Sequence, residues 1–182
     1  MKRTVSFLIL LSLLLTGCEK KPNTLVQTKG RKILLNNTPY LIKGICYHPV
    51  PKGETKRSFS TLTQDLQLLQ EAGINTIRVY KPVDDLAVLD QIHAAGIKLI
   101  MGFGYNQEGV FDMASGTILD YIETYKNHPV ILLWELGNEY NYHPEWFDGD
   151  IAKWYTALNN TAKKIKDLDQ NHPVATAHGE IP

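Results

Sequence analysis

Residues 127–139 read NHPVILLWELGNE and decide the fold prediction for this chain. Residues 130–136 form an apolar run that only Glu135 interrupts. A continuous rather than alternating apolar run is typical of a parallel strand that is covered on both faces. We therefore predict a buried strand that ends in Gly-Asn-Glu. The polar end has a second interpretation, in which Asn138 caps the next helix and Glu139 lies favourably at its N-terminus.

Similar apolar runs recur along the chain and alternate with helical patterns. The other predicted strands are residues 40–47, 74–80, 97–105 and 174–177. A further strand at residues 32–35 is predicted to form a hairpin with residues 40–47, through a turn at residues 36–39 (NNTP). Between them, leucine, isoleucine and tryptophan residues recur at helical spacing in residues 61–73, 84–95, 118–125 and 150–169. A possible capping box, Thr61 with Gln64, opens the first helix, and Leu86, Leu89 and Ile92 form the apolar face of the second. This alternation predicts an α/β fold with a parallel sheet of right-handed βαβ units.

The spacing of the strands favours a barrel. Successive strands begin about 33 residues apart, and eight such units need roughly 250 residues. We therefore predict a (β/α)8 TIM barrel of which this chain holds about the first four to five βα units. A doubly wound open sheet of five strands also fits the length, but no glycine-rich phosphate loop follows the first strand at residues 47–51. Residues 178–182 end where a strand-to-helix loop should begin, so we expect the barrel to be cut there.

The N-terminus has the layout of a bacterial export signal. Lys2 and Arg3 precede an apolar run over residues 5–15, which is too short to cross a bilayer as a stable helix. The following LTGC, residues 15–18, resembles a lipobox in which Cys18 is lipidated; the alternative is an ordinary signal peptide with a chance cysteine. We predict export and lipid anchoring to the bacterial cell envelope. The predicted organisation is signal peptide 1–17, tether 18–28 and partial barrel domain 29–182.

Composition excludes few functions but is consistent with this organisation. The 19 basic residues balance the 19 acidic ones, so no nucleic-acid partner is indicated. Lipidation of Cys18 would leave Cys46 without a disulfide partner. Apolar residues make up 43% of the sequence, which is enough to build a core without a disulfide.

Four segments resemble the barrel strands of one clan of enzymes when they are taken in order and at these intervals. They are residues 41–49 (LIKGICYHP), 72–80 (AGINTIRVY), 95–100 (AGIKLI) and 127–139. Together they are similar to the first four strands of the retaining β-glycosidases that include glycoside hydrolase families 2 and 5. The resemblance implies a glycoside hydrolase that acts on β-linked oligo- or polysaccharides by a retaining two-carboxylate mechanism and needs no cofactor or metal.

The same resemblance assigns roles to three residues. Glu139 would be the general acid/base, Asn138 would donate a hydrogen bond to the sugar 2-hydroxyl, and Arg78 would orient the nucleophilic carboxylate. In this clan the nucleophile is a glutamate at the end of the seventh strand, and the chain has no seventh strand. Glu180 is the one carboxylate whose predicted position could approach Glu139, because neighbouring strands lie about 4.8 Å apart, but the resemblance gives it no nucleophilic role.

Residues at the predicted strand ends are candidates for binding sugar, because pyranose rings present C–H surfaces that stack on aromatic side chains. We expect about half of the aromatic candidates to contact ligand and the others to pack. The aromatic candidates are Tyr47, Tyr80, Phe103, Tyr105, Tyr142 and Trp146. His48 and His178 could contact sugar hydroxyls; as metal ligands they lack paired histidine spacing and a third ligand. Trp134, inside its strand, is expected to pack.

Two other functions stay open at this point. The chain could be a non-catalytic carbohydrate-binding half-barrel lipoprotein, and its exposed sheet edges would then favour self-association. It could also be an unrelated open α/β lipoprotein that serves as a binding or scaffold module. A transglycosylase would use the same residues as a hydrolase.

Overall fold

The computed structural model describes residues 24–106 and 111–180, which form two sheets and four α-helices. The predicted signal peptide and Cys18 lie outside the described residues. A small antiparallel sheet and a parallel sheet follow each other along the chain. The strands of the antiparallel sheet are β1 (Val26–Lys29), β2 (Lys32–Leu35) and β3 (Thr38–Tyr40). The strands of the parallel sheet are β4 (Gly44–Cys46), β5 (Thr76–Val79), β6 (Lys98–Phe103), β7 (Ile131–Asn138) and β8 (Val174–Ala177).

The parallel sheet has the topology of a barrel segment. Its strand order is β4-β5-β6-β7-β8, so every strand pairs with the next one in sequence. An α-helix lies between each pair of consecutive strands: α1 (Leu62–Glu71), α2 (Leu86–Ala94), α3 (Ile118–Tyr125) and α4 (Ile151–Leu168). A doubly wound sheet would reverse its strand order at a switch point. The prediction of a partial TIM barrel is therefore confirmed, and the doubly wound alternative is wrong.

The predicted hairpin forms with shifted strand ends. Asn36 and Asn37 have φ angles of 50° and 65°, which are the conformations that a two-residue type I′ turn requires. Pro39, predicted to lie in the turn, instead lies in β3 at the edge of its sheet, where a missing N–H is tolerated. β1 begins inside the predicted tether: Val26 is buried, and its amide donates to the carbonyl of Asn171 at 2.8 Å. Strand pairing therefore starts before residue 29, the predicted start of the domain.

Two details of the predicted helices are wrong. Leu86 is 54% exposed, and Val88 packs in the core with Leu89 and Ile92 instead. Leu86 is the first residue of α2, directly after the N-cap Asp85, so it precedes the part of the helix that faces the sheet. The predicted capping box does not form, because the Thr61 hydroxyl donates to the Asp65 carboxylate at 3.0 Å and makes no cap hydrogen bond.

The side chain of Trp134 ties β7 to the end of α4. This side chain is fully buried, as predicted, and its Nε1 donates to Asp169 Oδ2 at 2.7 Å. The same carboxylate oxygen lies 2.7 Å from His172 Nδ1. Burial alone would raise the pKa of Asp169, but the hydrogen bonds from His172 and Trp134 and from the backbone of Asn171 lower it. Asp169 is thus an ionised acceptor that holds both aromatic side chains.

The edges of the parallel sheet are β4 and β8. All three residues of β4 are exposed, and Leu41 and Ile42 just before it are exposed as well. Self-association through these edges stays a prediction. In the described part of the chain, no helix combines the length and apolar character that crossing a bilayer requires.

Candidate active site

A β-bulge at the end of β7 brings its polar residues to one side of the sheet. Glu135 pairs with Ala175 of β8, but Asn138 pairs with Ala177, so one more residue is present on β7 than on β8. Side chains of a regular strand alternate between faces, which would place residues 135 and 138 on opposite sides. Gly137 absorbs the extra residue with φ of +74°, a conformation that favours glycine. As a result, Glu135 and Asn138 line the same cavity.

This cavity has a volume of about 230 Å³ and lies at the carboxyl ends of β5, β6 and β7. It is the position where barrel enzymes place their active sites. Its lining combines backbone, two carboxylates, one lysine and several aromatic rings. The lining residues are Tyr80, Lys81, Gly102, Phe103, Gly104, Glu135, Gly137, Asn138, Glu139, Tyr140, His143 and Trp146.

Arg78, from β5, forms a two-point ion pair with Glu135. Its Nε donates to Glu135 Oε1 and Oε2 at 2.8 and 2.9 Å, and its Nη2 donates to Oε1 at 2.5 Å. The same Nη2 donates to Asn138 Oδ1 at 2.9 Å. Burial alone would lower the pKa of Arg78, but the hydrogen bonds to Glu135 raise it above its ordinary value, so the guanidinium stays charged. Among the described residues, Glu135 is therefore the carboxylate that Arg78 orients.

Glu139 is the exposed carboxylate of the cavity. Its backbone has a left-handed conformation, with φ of 55°, and its amide donates to the carbonyl of Ala177 at 2.7 Å. No hydrogen bond joins its carboxylate to another of the described side chains, so the group can reach a ligand. The alternative in which Asn138 caps the next helix is wrong, although Glu139 does lie at the N-cap position of a short 3-10 helix. Asn138 uses its side-chain oxygen for Arg78, and Glu139 makes no cap hydrogen bond to the short 3-10 helix Tyr140–Tyr142.

Two aromatic side chains predicted to bind sugar line the cavity with exposed rings. Tyr80 is 40% exposed, and the Arg78 guanidinium lies 4.6 Å from the centre of its ring. Trp146 is 51% exposed and lies in the 3-10 helix Pro144–Phe147. The ring of His143 stacks on Trp146 at 3.9 Å with an angle of 7° between the planes. The His143 Nδ1 is 2.8 Å from Glu145 Oε1, which fixes this stacked ring in place.

Of the other aromatic candidates, Phe103 lines the cavity but is otherwise buried. Tyr47 and Tyr105 are packing residues. The buried Tyr47 donates its hydroxyl hydrogen to Asp65 at 2.7 Å, and the half-buried Tyr105 ring packs 5.2 Å from Phe147. The prediction that Tyr105 faces the ligand is therefore not supported, because the residue lies against the core rather than in the cavity.

Three further predicted ligand residues lie outside this cavity. The Tyr142 hydroxyl accepts the backbone N–H of Glu180 at 2.6 Å, which ties the end of the chain after β8 to the loop after β7. His178 Nε2 lies 2.9 Å from the Tyr155 hydroxyl, and the two rings stack at 6.1 Å. His48 is exposed at the end of β4 but lines no part of the cavity.

Three cavity residues with acidic or basic side chains were missed by the sequence predictions. Glu135 had a signal, because a charged residue inside a buried strand is rare unless it is paired. Lys81 directly follows Tyr80 at the end of β5, so its position could have been inferred from the strand end. His143 lies in a loop without periodicity and had no such signal. The described residues contain no cluster of three or more His, Cys, Asp or Glu side chains that could hold a metal ion.

The chain matches a known family of barrel domains. The model of the glycosyl hydrolases family 2, TIM barrel domain, matches residues 26–180. This chain belongs to that family. The match begins at the first residue of β1 and includes every strand and helix of the structure.

The family 2 chain is similar to several longer proteins. It is 31% identical to the 1,3-beta-glucanosyltransferase GAS4 of Saccharomyces cerevisiae over 107 aligned residues. The alignment covers 53% of this chain and 22% of that protein. It is 27% identical over 134 residues to a beta-galactosidase of Leuconostoc mesenteroides. That alignment covers 64% of this chain and 12% of the relative. The crystal structure of a family 2 member from Bacteroides cellulosilyticus superposes with a TM-score of 0.66 at 21% identity. The superposition covers 87% of this chain and 22% of that one. The chain thus spans between 12% and 22% of the length of these curated relatives.

The bulge geometry predicts that Gly137→Ala is more damaging than a matched glycine substitution. A Cβ at residue 137 would lie 2.6 Å from the Trp154 ring, whereas one at Gly149, with a similar φ of +77°, would contact nothing within 4 Å. Both variants carry backbone strain, and only the first adds overpacking, which costs about 1–3 kcal/mol. Urea denaturation should show Gly137→Ala less stable than Gly149→Ala by about that amount. Equal losses in the two variants would contradict the role given to Gly137.

Proposed function

We propose that the chain carries the acid/base side of a glycosidase active site that acts on β-linked oligo- or polysaccharides with retention. The observation that supports this most directly is the exposed Glu139 carboxylate at the mouth of a cavity beside a fixed Asn138. The position at the carboxyl ends of the strands and the membership of family 2 support the same proposal. Two carboxyl groups and water suffice for this chemistry, so no cofactor is part of the proposal.

In this proposal Glu139 protonates the glycosidic oxygen as the bond to the leaving group breaks, and then removes a proton from the attacking water. Asn138 donates a hydrogen bond to a sugar hydroxyl, which we take to be the 2-hydroxyl. Because Asn138 Oδ1 accepts from Arg78, the amide nitrogen of Asn138 points away from the guanidinium and is available as a donor. Tyr80 and Trp146 offer the flat apolar surfaces for the sugar rings.

The nucleophile is a separate question. Retention needs a second carboxyl group about 5 Å from the acid/base. Glu135 is unsuited, because Arg78 holds both of its oxygen atoms. Glu180 is also unsuited, because it does not line the cavity and its backbone is tied to Tyr142. We therefore propose that the nucleophile comes from a strand beyond the five described here, as the resemblance implies for the seventh strand.

The names of the relatives bear on the reaction type. The Leuconostoc mesenteroides relative is a beta-galactosidase, and the Saccharomyces cerevisiae relative is a 1,3-beta-glucanosyltransferase. Hydrolysis and transfer both start with protonation of the leaving oxygen, and they differ in whether water or a sugar hydroxyl completes the reaction. We propose hydrolysis of a β-glycoside as the main activity, with transfer to a second sugar as the variant that the similarity to GAS4 favours.

The proposal predicts a leaving-group signature for Glu139→Gln. The chain would be incubated with aryl β-glycosides and with azide as an external nucleophile that can attack the anomeric carbon and release the aryl alcohol. Loss of the acid should slow the release of a poor leaving group such as phenol by about 10²–10⁴-fold. Release of dinitrophenol, which needs no protonation, should change little. Thermal unfolding should be unchanged, because the Glu139 carboxylate is exposed.

Glu123→Gln is the matched control, since Glu123 lies in α3 and pairs with Lys126 away from the cavity. It should behave as the wild type on both substrates. Equal rates for Glu139→Gln and the control on the phenyl glycoside would remove Glu139 from the mechanism. Binding of β-glycosides without release of either aryl alcohol would favour the alternative of a non-catalytic carbohydrate-binding lipoprotein.

We also propose that the protein is exported and anchored to the bacterial cell envelope through lipid on Cys18. The support is the sequence alone: a basic start, a short apolar run and LTGC at residues 15–18. Acyl chains rather than a membrane-spanning helix would then hold the protein at the membrane.

Replacing Cys18 by Ser tests the anchor. In bacteria grown with radiolabelled palmitate, the wild type should be labelled and should sediment with membranes, whereas Cys18→Ser should lose the label. Cys46→Ser is the control and should keep both label and location. A Cys18→Ser protein that is still labelled would refute lipidation at this residue.

A further inference from the structure

The Arg78–Glu135 pair connects β5 to β7 across the strand between them. Arg78 lies on β5 and Glu135 on β7, so the arginine crosses β6 to reach its partner. The β6 residue that pairs with Glu135 is Gly102, where a Cβ would lie 2.2 Å from the Val79 carbonyl oxygen of β5. The side chains of Arg78 and Glu135 are only 16% and 10% exposed. A pair so far removed from water gains more from its hydrogen bonds than a surface pair does.

We infer that Glu135 is a positioning residue that holds Arg78 in the one orientation in which Arg78 fixes the side-chain amide of Asn138. This inference rests on the proposed function for the role of Asn138 toward sugar, but not for the geometry itself. It assigns to Glu135 no contact with the reacting atoms. Glu135 acts on Arg78, Arg78 acts on Asn138, and the result is the orientation of the Asn138 NH₂ group toward the cavity.

The hydrogen-bond inventory of the guanidinium supports this inference. The single Nε hydrogen is shared by both oxygens of Glu135, and the two hydrogens of Nη2 go to Glu135 Oε1 and Asn138 Oδ1. Nη1 lies 3.6 Å from Cys46 Sγ. Every hydrogen on the side of the guanidinium that faces β7 is thus used. A rotation that released Glu135 would also withdraw the hydrogen from Asn138.

The consequence for Asn138 is a fixed choice between its two possible amide orientations. With Arg78 in place, the oxygen faces the guanidinium and the NH₂ group faces away, because an amide nitrogen cannot accept from an N–H donor. Without Arg78 the two orientations would differ little in energy. If Glu135 were lost instead, the Arg78 guanidinium would be free to pair with Glu139, the other carboxylate that lines the cavity. Glu135 therefore keeps the cation away from the proposed acid while it keeps Asn138 oriented.

Side-chain NMR of the ¹⁵N-labelled full chain tests the positioning role without any substrate. In Glu135→Gln, the exchange of the Arg78 Nε hydrogen with water should accelerate by at least about 10-fold, because the charged acceptor is lost. The two Asn138 Nδ2 hydrogens should lose their wild-type shifts. Glu123→Gln, which removes a carboxylate from an exposed ion pair, should change neither signal. Glu135→Asp, which keeps the charge, should restore part of the Arg78 protection.

Glu135→Gln leaves a poorly exposed cation with a weaker partner, which can unfold the protein. A second variant is therefore needed in which the cation is absent too. The double variant Arg78→Met with Glu135→Gln removes the cation together with its partner, and its Asn138 amide should also lose the wild-type shifts. Wild-type Asn138 signals in either folded variant would overturn the inference.

A binding measurement separates this inference from the proposed function. The wild type should bind a methyl β-glycoside more tightly than its 2-deoxy counterpart, and Glu135→Gln should reduce that preference by about 10-fold, the value of one lost hydrogen bond to a charged or fixed donor. If the wild type binds neither sugar while the NMR signals change as expected, the proposed function fails and the positioning role stands. An unchanged preference in Glu135→Gln would overturn the positioning role.

Discussion

The bulge at Gly137 is the constraint on which the arrangement of the site depends. A strand in regular alternation can present Glu135 or Asn138 to the barrel interior, but not both. One extra residue in β7, accommodated by the positive φ of Gly137, brings the two side chains to the same cavity and turns the chain so that Glu139 lies at its mouth. Trp154 of α4 packs so close to Gly137 that a larger residue has no space. The packing of the helix layer and the geometry of the site are therefore linked at one residue.

Charge is arranged in the cavity by the same strand. Arg78 would be a costly cation at its low exposure if it had no partner, and Glu135 supplies that partner with two oxygens. The pair leaves one hydrogen of the guanidinium for Asn138 and leaves the Glu139 carboxylate without a partner among the described side chains. In the proposed function the unengaged carboxylate protonates the leaving group, and the fixed amide donor bonds a sugar hydroxyl. Trp146 and Tyr80 add the flat surfaces that a sugar ring can stack on.

The sequence allowed the fold to be predicted because its strands are marked by continuous apolar runs at regular intervals. The run at residues 130–136 became β7 and the run at 174–177 became β8, with the strand order that the barrel interpretation requires. Leu86 was placed in the core wrongly, because periodicity does not reveal where a helix first meets the sheet. Pro39 was placed in a turn wrongly, because the two asparagines before it already make the turn.

The sequence predicted the residues of the site that belong to a motif, but not the ion pair behind them. Motif resemblance led to Glu139, Asn138 and Arg78; the first two line the cavity, and Arg78 donates a hydrogen bond to Asn138. It could not lead to the Arg78–Glu135 pair, because the two residues are 57 positions apart and lie on strands that a third strand separates. Position at a strand end was a poor guide to the aromatic residues. Tyr105 turns into the core, and Tyr142 is used to hold the backbone of Glu180, so neither lines the cavity.

The central claim, that this cavity binds carbohydrate, can be tested with the three tryptophans of the chain. Trp146 lines the cavity and is half exposed, whereas Trp134 and Trp154 are buried, so their indole N–H signals are internal controls. The measurement is a titration of the ¹⁵N-labelled protein with β-linked oligosaccharides, followed by the three indole resonances. If the cavity binds carbohydrate, the Trp146 signal should shift saturably while the Trp134 and Trp154 signals stay in place. A Trp146 signal that does not respond to any β-linked sugar, or that moves only together with the two buried indoles, would contradict it.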